Sequence, residues 1–344
     1  MDRVTRGEQK RSITLTDVAR LAGVSVATAS KALNGRRQVR AETRQRVLAA
    51  AESLSFTPNP FAQALNMPRS GTVGMLTSDL EGRFALPILM GAEDAFGSGA
   101  TSVLLCDARG DAERERTHVA ALLARRVDGL IVVGSRTDPR PSLGQELPVP
   151  VVYAYAPSED EADVSFVPDN VRGGALAVEH LVAGGRRRIA LLAGDADYAA
   201  ARDRVAGVTE ALHAAGLELV GGTESYGEWS EAWGRQAAAE LLAANPDVDA
   251  VLCGNDQVAR GALDTLRERG RRVPEDVSVA GFDNWEVLTT SSRPPLTSVD
   301  MNLEELGRTA ARHLFHAIDG ERQGGIVTLP VRLVVRETTV EPGT

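Results

Sequence analysis

The chain has 344 residues, is 43% hydrophobic and carries a formal net charge of −9. That is apolar material for a sizeable core and more than one domain, and no apolar run approaches the roughly 18 residues of a membrane-spanning helix. The opening MDRVTRGEQKRS is polar and lacks the apolar segment of a secretory signal, so a cytoplasmic protein with no membrane partner is expected.

The charge is uneven. Residues 1–68 hold 11 Lys and Arg against five Asp and Glu, whereas the remainder holds 27 against 42. A basic head can approach phosphate while an acidic body stays soluble.

Within the head, Thr14 precedes Leu15, Val18, Ala19 and Ala22, the spacing of an apolar helix face. Thr14 with Asp17 forms a capping-box pattern. Gly23 breaks this helix, Ser25 caps the next, and 26–33 form a second short helix ended by Asn34-Gly35. A third helix is expected near 41–53, with Val47, Leu48, Ala51 and Leu54 buried. Two short helices joined by a tight turn make a helix-turn-helix, whose second helix can enter a major groove. A plain three-helix bundle is the alternative. Thr28, Ser30 and Lys31 beside the small Val26 and Ala27 give that second helix an outward face without a stranded large apolar residue. Pro58-Asn59-Pro60 then opens a short helix over 61–65, too short to be stable alone in water.

From Thr72 onward, apolar runs alternate with amphipathic stretches. TVGMLT, SVLLC, GLIVV, VPVVY, RIALLAG, AVLCG and VSVAGF read as strands; 113–124, 172–183, 202–215 and 232–243 read as helices. Repeated βα units imply parallel sheets covered on both faces. The pattern pauses at 165–170 and near 294–299, which suggests two similar sandwiches joined by crossovers with a ligand cleft between them. Cys106 and Cys253 each close an apolar run and are expected to be inert core thiols. His313 and His316 lie three apart on a late helix and no carboxylate or cysteine partner stands out in the sequence, so no metal is expected. Neither a phosphate-cradling glycine motif nor a catalytic constellation is present, so no enzyme activity and no cofactor are expected. GNDQ and GFDNW follow strands, where α/β proteins bind ligands.

The stretches TLTDVARLAGVSVATASKALNG, VRAETRQRV and SFTPNPFAQAL together resemble the head of the LacI/GalR family of bacterial repressors. The resemblance implies base reading by Val26, Ala27 and Lys31 and phosphate contacts by Thr28, Ser30, Asn34 and Arg44. Lys31 can donate to guanine, with phosphate as its alternative, and Val26 and Ala27 can touch thymine methyls. It also implies a hinge helix in which Ala62 meets its counterpart and Leu65 wedges into the minor groove; an ordinary packing leucine is the alternative. In the body, ARDRVAG places Arg204, GNDQVARG places Asn255, GFDNW places Asp283 and GEWS places Trp229 at ligand-contacting positions. Phe84 matches a lid. An aromatic face with arginine and carboxylate forks suits a sugar-like ligand, and loop capping is the plainer role for each polar residue. Trp285 faces the cleft or packs.

Two departures fall at the cleft: Tyr155 stands where the family often has aspartate, and Gly82-Arg83-Phe84-Ala85 replaces the usual Asn-Pro-Phe-Phe. They leave the ligand class open, with a purine-like or other corepressor or a non-catalytic receptor as alternatives. The expected architecture is an all-α helix-turn-helix head with a hinge helix, then an α/β body of two parallel-sheet lobes resembling a periplasmic binding protein. Its divisions are an arm (1–11), the head (12–58), hinge and linker (59–70), and an effector-binding and dimerisation domain (71–344). In that domain the N-lobe takes about 71–168 and 299–328, and the C-lobe about 169–298 and 329–340. The expected partners are double-stranded operator DNA, a small polar effector and a second copy of the chain. A homodimer fits better than a tetramer because no leucine-heptad tail follows RETTVEPGT.

Overall fold

The computed structural model describes residues 13–33, 39–56, 69–97, 101–222, 224–321 and 323–339. Asn34, Ala62 and Leu65 lie outside the described residues. The chain divides into two units, Met1–Ser70 and Gly71–Thr344.

The first unit contains α1 (Leu15–Leu21), α2 (Val26–Leu33) and α3 (Ala41–Ser53). At the start of α1, the Thr14 amide and hydroxyl both donate to Asp17 Oδ2, at 3.0 and 2.7 Å. Gly23, at φ +64°, turns the chain out of α1 in a conformation that a Cβ would oppose. Ser25 Oγ then accepts from Thr28 N at 3.1 Å and caps α2. The core is built from Val18, Ala19, Ala22, Ala29, Ala32, Val47, Ala50 and Ala51, and so many alanines let short helices approach closely. Leu48, expected inside, is 48% exposed. The buried face of α3 runs through Val47, Ala50 and Ala51, and Leu48 sits a full 100° step around the helix from Val47.

The second unit contains two sheets. The N-lobe sheet has the order β10-β5-β4-β3-β1-β2, all parallel, from β1 (Thr72–Thr77), β2 (Ser102–Asp107), β3 (Gly129–Val133), β4 (Val151–Ala154), β5 (Val164–Pro168) and β10 (Gly325–Leu329). The C-lobe sheet has the order β11-β9-β8-β7-β6, from β6 (Ile189–Leu192), β7 (Ala250–Cys253), β8 (Ser278–Phe282), β9 (Thr297–Asp300) and β11 (Arg332–Val334). Only β11 is antiparallel to its neighbour. Chain crosses between lobes after Pro168, Asp300 and Leu329. The apparent pauses in the sequence are therefore short strands, β5 and β9, each just before a crossover. Cys253 is buried as expected, but Cys106 is only half-buried because β2 is an edge strand.

Helices α4 (Ala85–Phe96) and α11 (Leu303–Ile318) cover one face of the N-lobe sheet, and α5 (Ala112–Ala124) covers the other. In the C-lobe, α6 (Asn170–Ala183) and α7 (Ala199–Ala214) lie on one face, with α8 (Glu231–Ala244) and α9 (Asp256–Glu268) on the other, and the short α10 (Glu286–Thr289) follows β8. Side chains start most of these helices: Asp111 caps α5, Asp169 α6, Ser230 α8 and Asn255 α9.

Each of the three main helix pairs crosses through reciprocal glycines. A Cβ on Gly91 of α4 would fall on the Glu304 carbonyl of α11, and one on Gly307 on the Ile88 carbonyl. Gly174 and Gly207 face the Arg204 and Val171 carbonyls across α6–α7, and Gly234 and Gly261 face those of Val258 and Glu231 across α8–α9. Backbone cannot yield as a flexible side chain can, so these contacts fix where the helices lie. Gly91→Ala should force α4 off α11 and cost about 1–3 kcal/mol as overpacking, read as a lower urea midpoint. An unchanged midpoint would contradict the close crossing.

Candidate functional site

Between the lobes lies a cavity of about 160 Å³. The N-lobe contributes Asp79, Arg83, Phe84, Thr137 and Tyr155, and the C-lobe Tyr198, Arg204, Trp229, Asn255, Gln257 and Asp283. Most of these sit just beyond a strand or near a helix start, and Arg204 lies on the second turn of α7. The cavity thus brings together all six of the body residues singled out in the sequence.

Arg204, on the second turn of α7, is buried. Its Nε donates to Asn170 Oδ1 at 2.9 Å, Nη1 to the Gly254 carbonyl at 2.6 Å, and Nη2 to Met301 Sδ at 3.5 Å. Nη2 is also 3.3 Å from Asp283 Oδ1, and the guanidinium lies 3.7 Å from the Phe282 ring centroid. Three of its five N–H donors thereby make hydrogen bonds, and the contact with Asp283 Oδ1 is an ion pair without one. Most of the fork expected from the sequence is thus committed within the protein, and two N–H remain without a hydrogen bond.

Asn255 has two roles. Its Oδ1 accepts from Val258 N at 2.8 Å and caps α9, which leaves the amide NH₂ as the end that can serve the cavity. Beside it, Asp256 is fully buried and accepts from Ser298 Oγ at 2.6 Å and from Trp285 N at 2.7 Å. These bonds hold the turn that carries Asp283, whose backbone is at φ +98°. Trp285 therefore anchors through its backbone while its ring stays partly exposed.

Arg83 is the residue that sequence reasoning missed. It stood in the motif only as a departure, yet its Nη2 pairs with Asp283 Oδ2 and its Nη1 donates to Gln257 Oε1 at 3.1 Å, both across the cavity. Phe84 stacks on Tyr155 with centroids 4.8 Å apart. Tyr155 is at φ +74°, and burial, followed by the nearby Asp283 charge, raises its hydroxyl pKa and keeps it neutral. Trp229 lies against Gly194, where a Cβ would occupy the indole, and meets Tyr198 edge to face at 5.7 Å.

Several buried polar atoms here lack a hydrogen-bond partner among the described residues: Arg83 Nε, Thr137 Oγ1, Asp138 Oδ2, Trp229 Nε1 and Asp283 Oδ1. Such atoms are costly, about 1–3 kcal/mol each, unless something satisfies them. Among the described residues no cluster of three metal-ligating side chains occurs, and no helix is long and apolar enough to cross a membrane. His313 packs on Phe166 at 4.7 Å.

In the first unit, α2 presents Val26, 44% exposed, with exposed Ala27 and Lys31. Ala29 and Ala32 point the other way into the core. Thr28 and Ser30 are half-buried, and Thr28 Oγ1 is 2.8 Å from Ser25 Oγ. Arg44 is half-buried on α3. The exposed arc of α2 carries the small Val26 and Ala27 and one cation, Lys31, and a helix of that outline can enter a groove.

Residues 14–59 match the family described as bacterial regulatory proteins, lacI family, and residues 178–339 match a periplasmic binding protein-like domain. The HTH-type transcriptional regulator CelR of Thermobifida fusca is 39% identical over 336 residues, 95% of this chain and 97% of the relative. Among solved structures, the lac repressor dimer bound to operator and the anti-inducer ONPF gives a TM-score of 0.80 at 34% identity, covering 96% of this chain and 100% of that one. A complex of the transcriptional regulator CelR with cellobiose gives a TM-score of 0.63 at 34% identity, covering 95% and 99%. A helix-turn-helix unit followed by a two-lobed α/β body is the architecture of a DNA-binding regulator. The chain belongs to the lacI family of bacterial regulatory proteins.

Burial, then the Asp283 charge, pushes the Asp256 carboxyl up to about 8, against the hydrogen bonds from Ser298 and Trp285. The folded chain therefore keeps a proton that the unfolded chain gives up near pH 4. The stability this contributes is complete below about pH 4 and is lost as pH rises toward 8. Relative to Asp256→Asn, the wild type should lose stability between about pH 5 and 8 in urea titrations. A stability difference independent of pH would contradict the protonated assignment.

Proposed function

We propose that the chain is a transcriptional repressor that binds a pseudo-palindromic operator as a homodimer and releases it when a neutral sugar of the cellobiose type occupies the cleft. The observation that carries the ligand reading is the convergence of unpartnered buried polar atoms on an aromatic wall. Trp229, Tyr198, Phe84 and Tyr155 offer faces for the C–H surfaces of a sugar. Trp229 Nε1, Thr137 Oγ1, Asp283 Oδ1 and the Asn255 amide offer partners for its hydroxyls. The likeness to CelR, over nearly the whole of both chains, supports a β-linked glucose disaccharide as the first candidate.

DNA reading is supported by the exposed arc of α2, with Lys31 facing guanine and Val26 and Ala27 facing thymine methyls. Thr28, Ser30, Asn34 and Arg44 hold phosphates. Ala62 and Leu65 form the hinge contact with the minor groove; this part of the reading rests on the sequence resemblance. The homodimer is supported by Leu86 and Met90, which lie one turn apart on α4 and are 50% and 56% exposed. A second copy would cover them, and a two-fold protein suits a two-fold operator.

A pair of variants separates the two activities. Lys31→Ala should lose about 1–3 kcal/mol of operator affinity, with a much smaller loss on random duplex and unaltered cellobiose binding by calorimetry. Arg204→Met should lose cellobiose binding and keep operator affinity. Its core is preserved by the apolar stem, and Asp283 keeps Arg83. Loss of both activities in either variant, or of neither, would overturn the assignment.

A further inference from the structure

Protein side chains cross the cleft at both rims. On one, Asp138 Oδ1 accepts from Ala199 N at 3.0 Å and lies 3.5 Å from Arg202 Nη2, while the Arg136 guanidinium lies 4.0 Å from the Tyr198 ring centroid. On the other, Arg83 reaches from the β1–α4 loop of the N-lobe to three C-lobe residues. It pairs with Asp283, donates to Gln257, and lies 5.0 Å from the Trp285 ring centroid. Its one ion-pair partner among the described residues is thus across the cleft.

The pairing is asymmetric. Asp283 also has Arg204, which belongs to its own lobe and is buried beside it. If Arg83 withdraws, the carboxylate keeps a counter-charge, while the Arg83 side chain, already 19% exposed, passes into water. Breaking most buried ion pairs strands a charge and is prohibitive; this one can open and re-form. Arg83 is also two residues ahead of α4, the helix that exposes Leu86 and Met90.

We propose that Arg83 is a positioning residue that sets the closure of the two lobes, tying the N-lobe to Asp283 and Gln257 and so linking the state of the cleft to the placement of α4. The tie consists of this chain's own side chains, so it goes beyond the sugar reading and does not depend on it. Any effector changes closure by adding to or competing with an ion pair already made, and can shift the balance only by its preference for one form.

The test uses the full-length chain with a spin label at one exposed position in each lobe and pulsed electron resonance distances. Without added sugar, Arg83→Met should give a longer and broader interlobe distance than the wild type, and Arg83→Lys should restore it in part. Added NaCl should lengthen the wild-type distance and leave Arg83→Met unchanged, because salt favours the separated charges. Distances in Arg83→Met that superimpose on wild type at both salts would overturn the proposal. A salt-independent lengthening with no rescue by lysine would do so as well, since it would assign Arg83 to packing. A wild type whose distances ignore cellobiose would count against the sugar reading alone.

Discussion

Asp283 and Arg204 form an ion pair withdrawn from water, with side chains 3% and 6% exposed. Removing each charge from water costs several kcal/mol, which attraction offsets only when hydrogen bonds complete both shells. The shell of Arg204 is drawn from the start of α6, the end of β7 and the segment after β9, and its planar face lies on Phe282 of β8. Four separate elements must therefore stand in fixed places. The reciprocal glycines supply that placement for α6 and α7: the Arg204 carbonyl itself is what Gly174 abuts. A buried ion pair is weak evidence for stability. Here it fixes a charged wall of the cavity between the lobes.

Backbone strain gathers at the same place. Tyr155, Asp283 and Asn284 are non-glycine residues at φ +74°, +98° and +49°, a conformation costing of order 1–3 kcal/mol each. Asp256 and Ser298 hold the 283–284 turn from beneath, through Trp285 N and Asn284 N. The neutral, buried state of Asp256 matters because a second full charge beside Asp283 would oppose the first.

Much of this was legible in the sequence, and the limits have physical causes. The interior strands were legible because parallel strands covered on both faces are continuous apolar runs, as in GLIVV and AVLC. The starts of α1 and α2 were legible because the Thr14 and Ser25 caps act within three residues. Strands β5, β9 and β10 were not, since they are short edge or crossover segments that include Ser165, Pro168 and Gly325. The aromatic and polar lining of the cleft followed from the resemblance to the family, with only GNDQ and GFDNW marked by their place just after strands. Arg83 could not, because its partners are 174 and 200 residues away and nothing local marks the pairing. The glycine pairs escaped for the same reason: a glycine inside a helix signals a close approach only once its partner helix is known. Leu48 was misplaced by one residue within a helix, which is enough to move a side chain from core to solvent.

The sequence puts net positive charge in the first 68 residues and negative charge in the rest, so DNA attraction and ligand recognition reside in different units. The central claim is that occupancy of one site changes the affinity of the other, and such coupling is reciprocal. The most direct measurement is the cellobiose affinity of the full chain with and without saturating operator, set beside the operator affinity with and without saturating cellobiose. The account predicts that each ligand weakens the other by the same factor, within the roughly 5- to 150-fold range of allosteric couplings. Two affinities that do not respond to each other would contradict it.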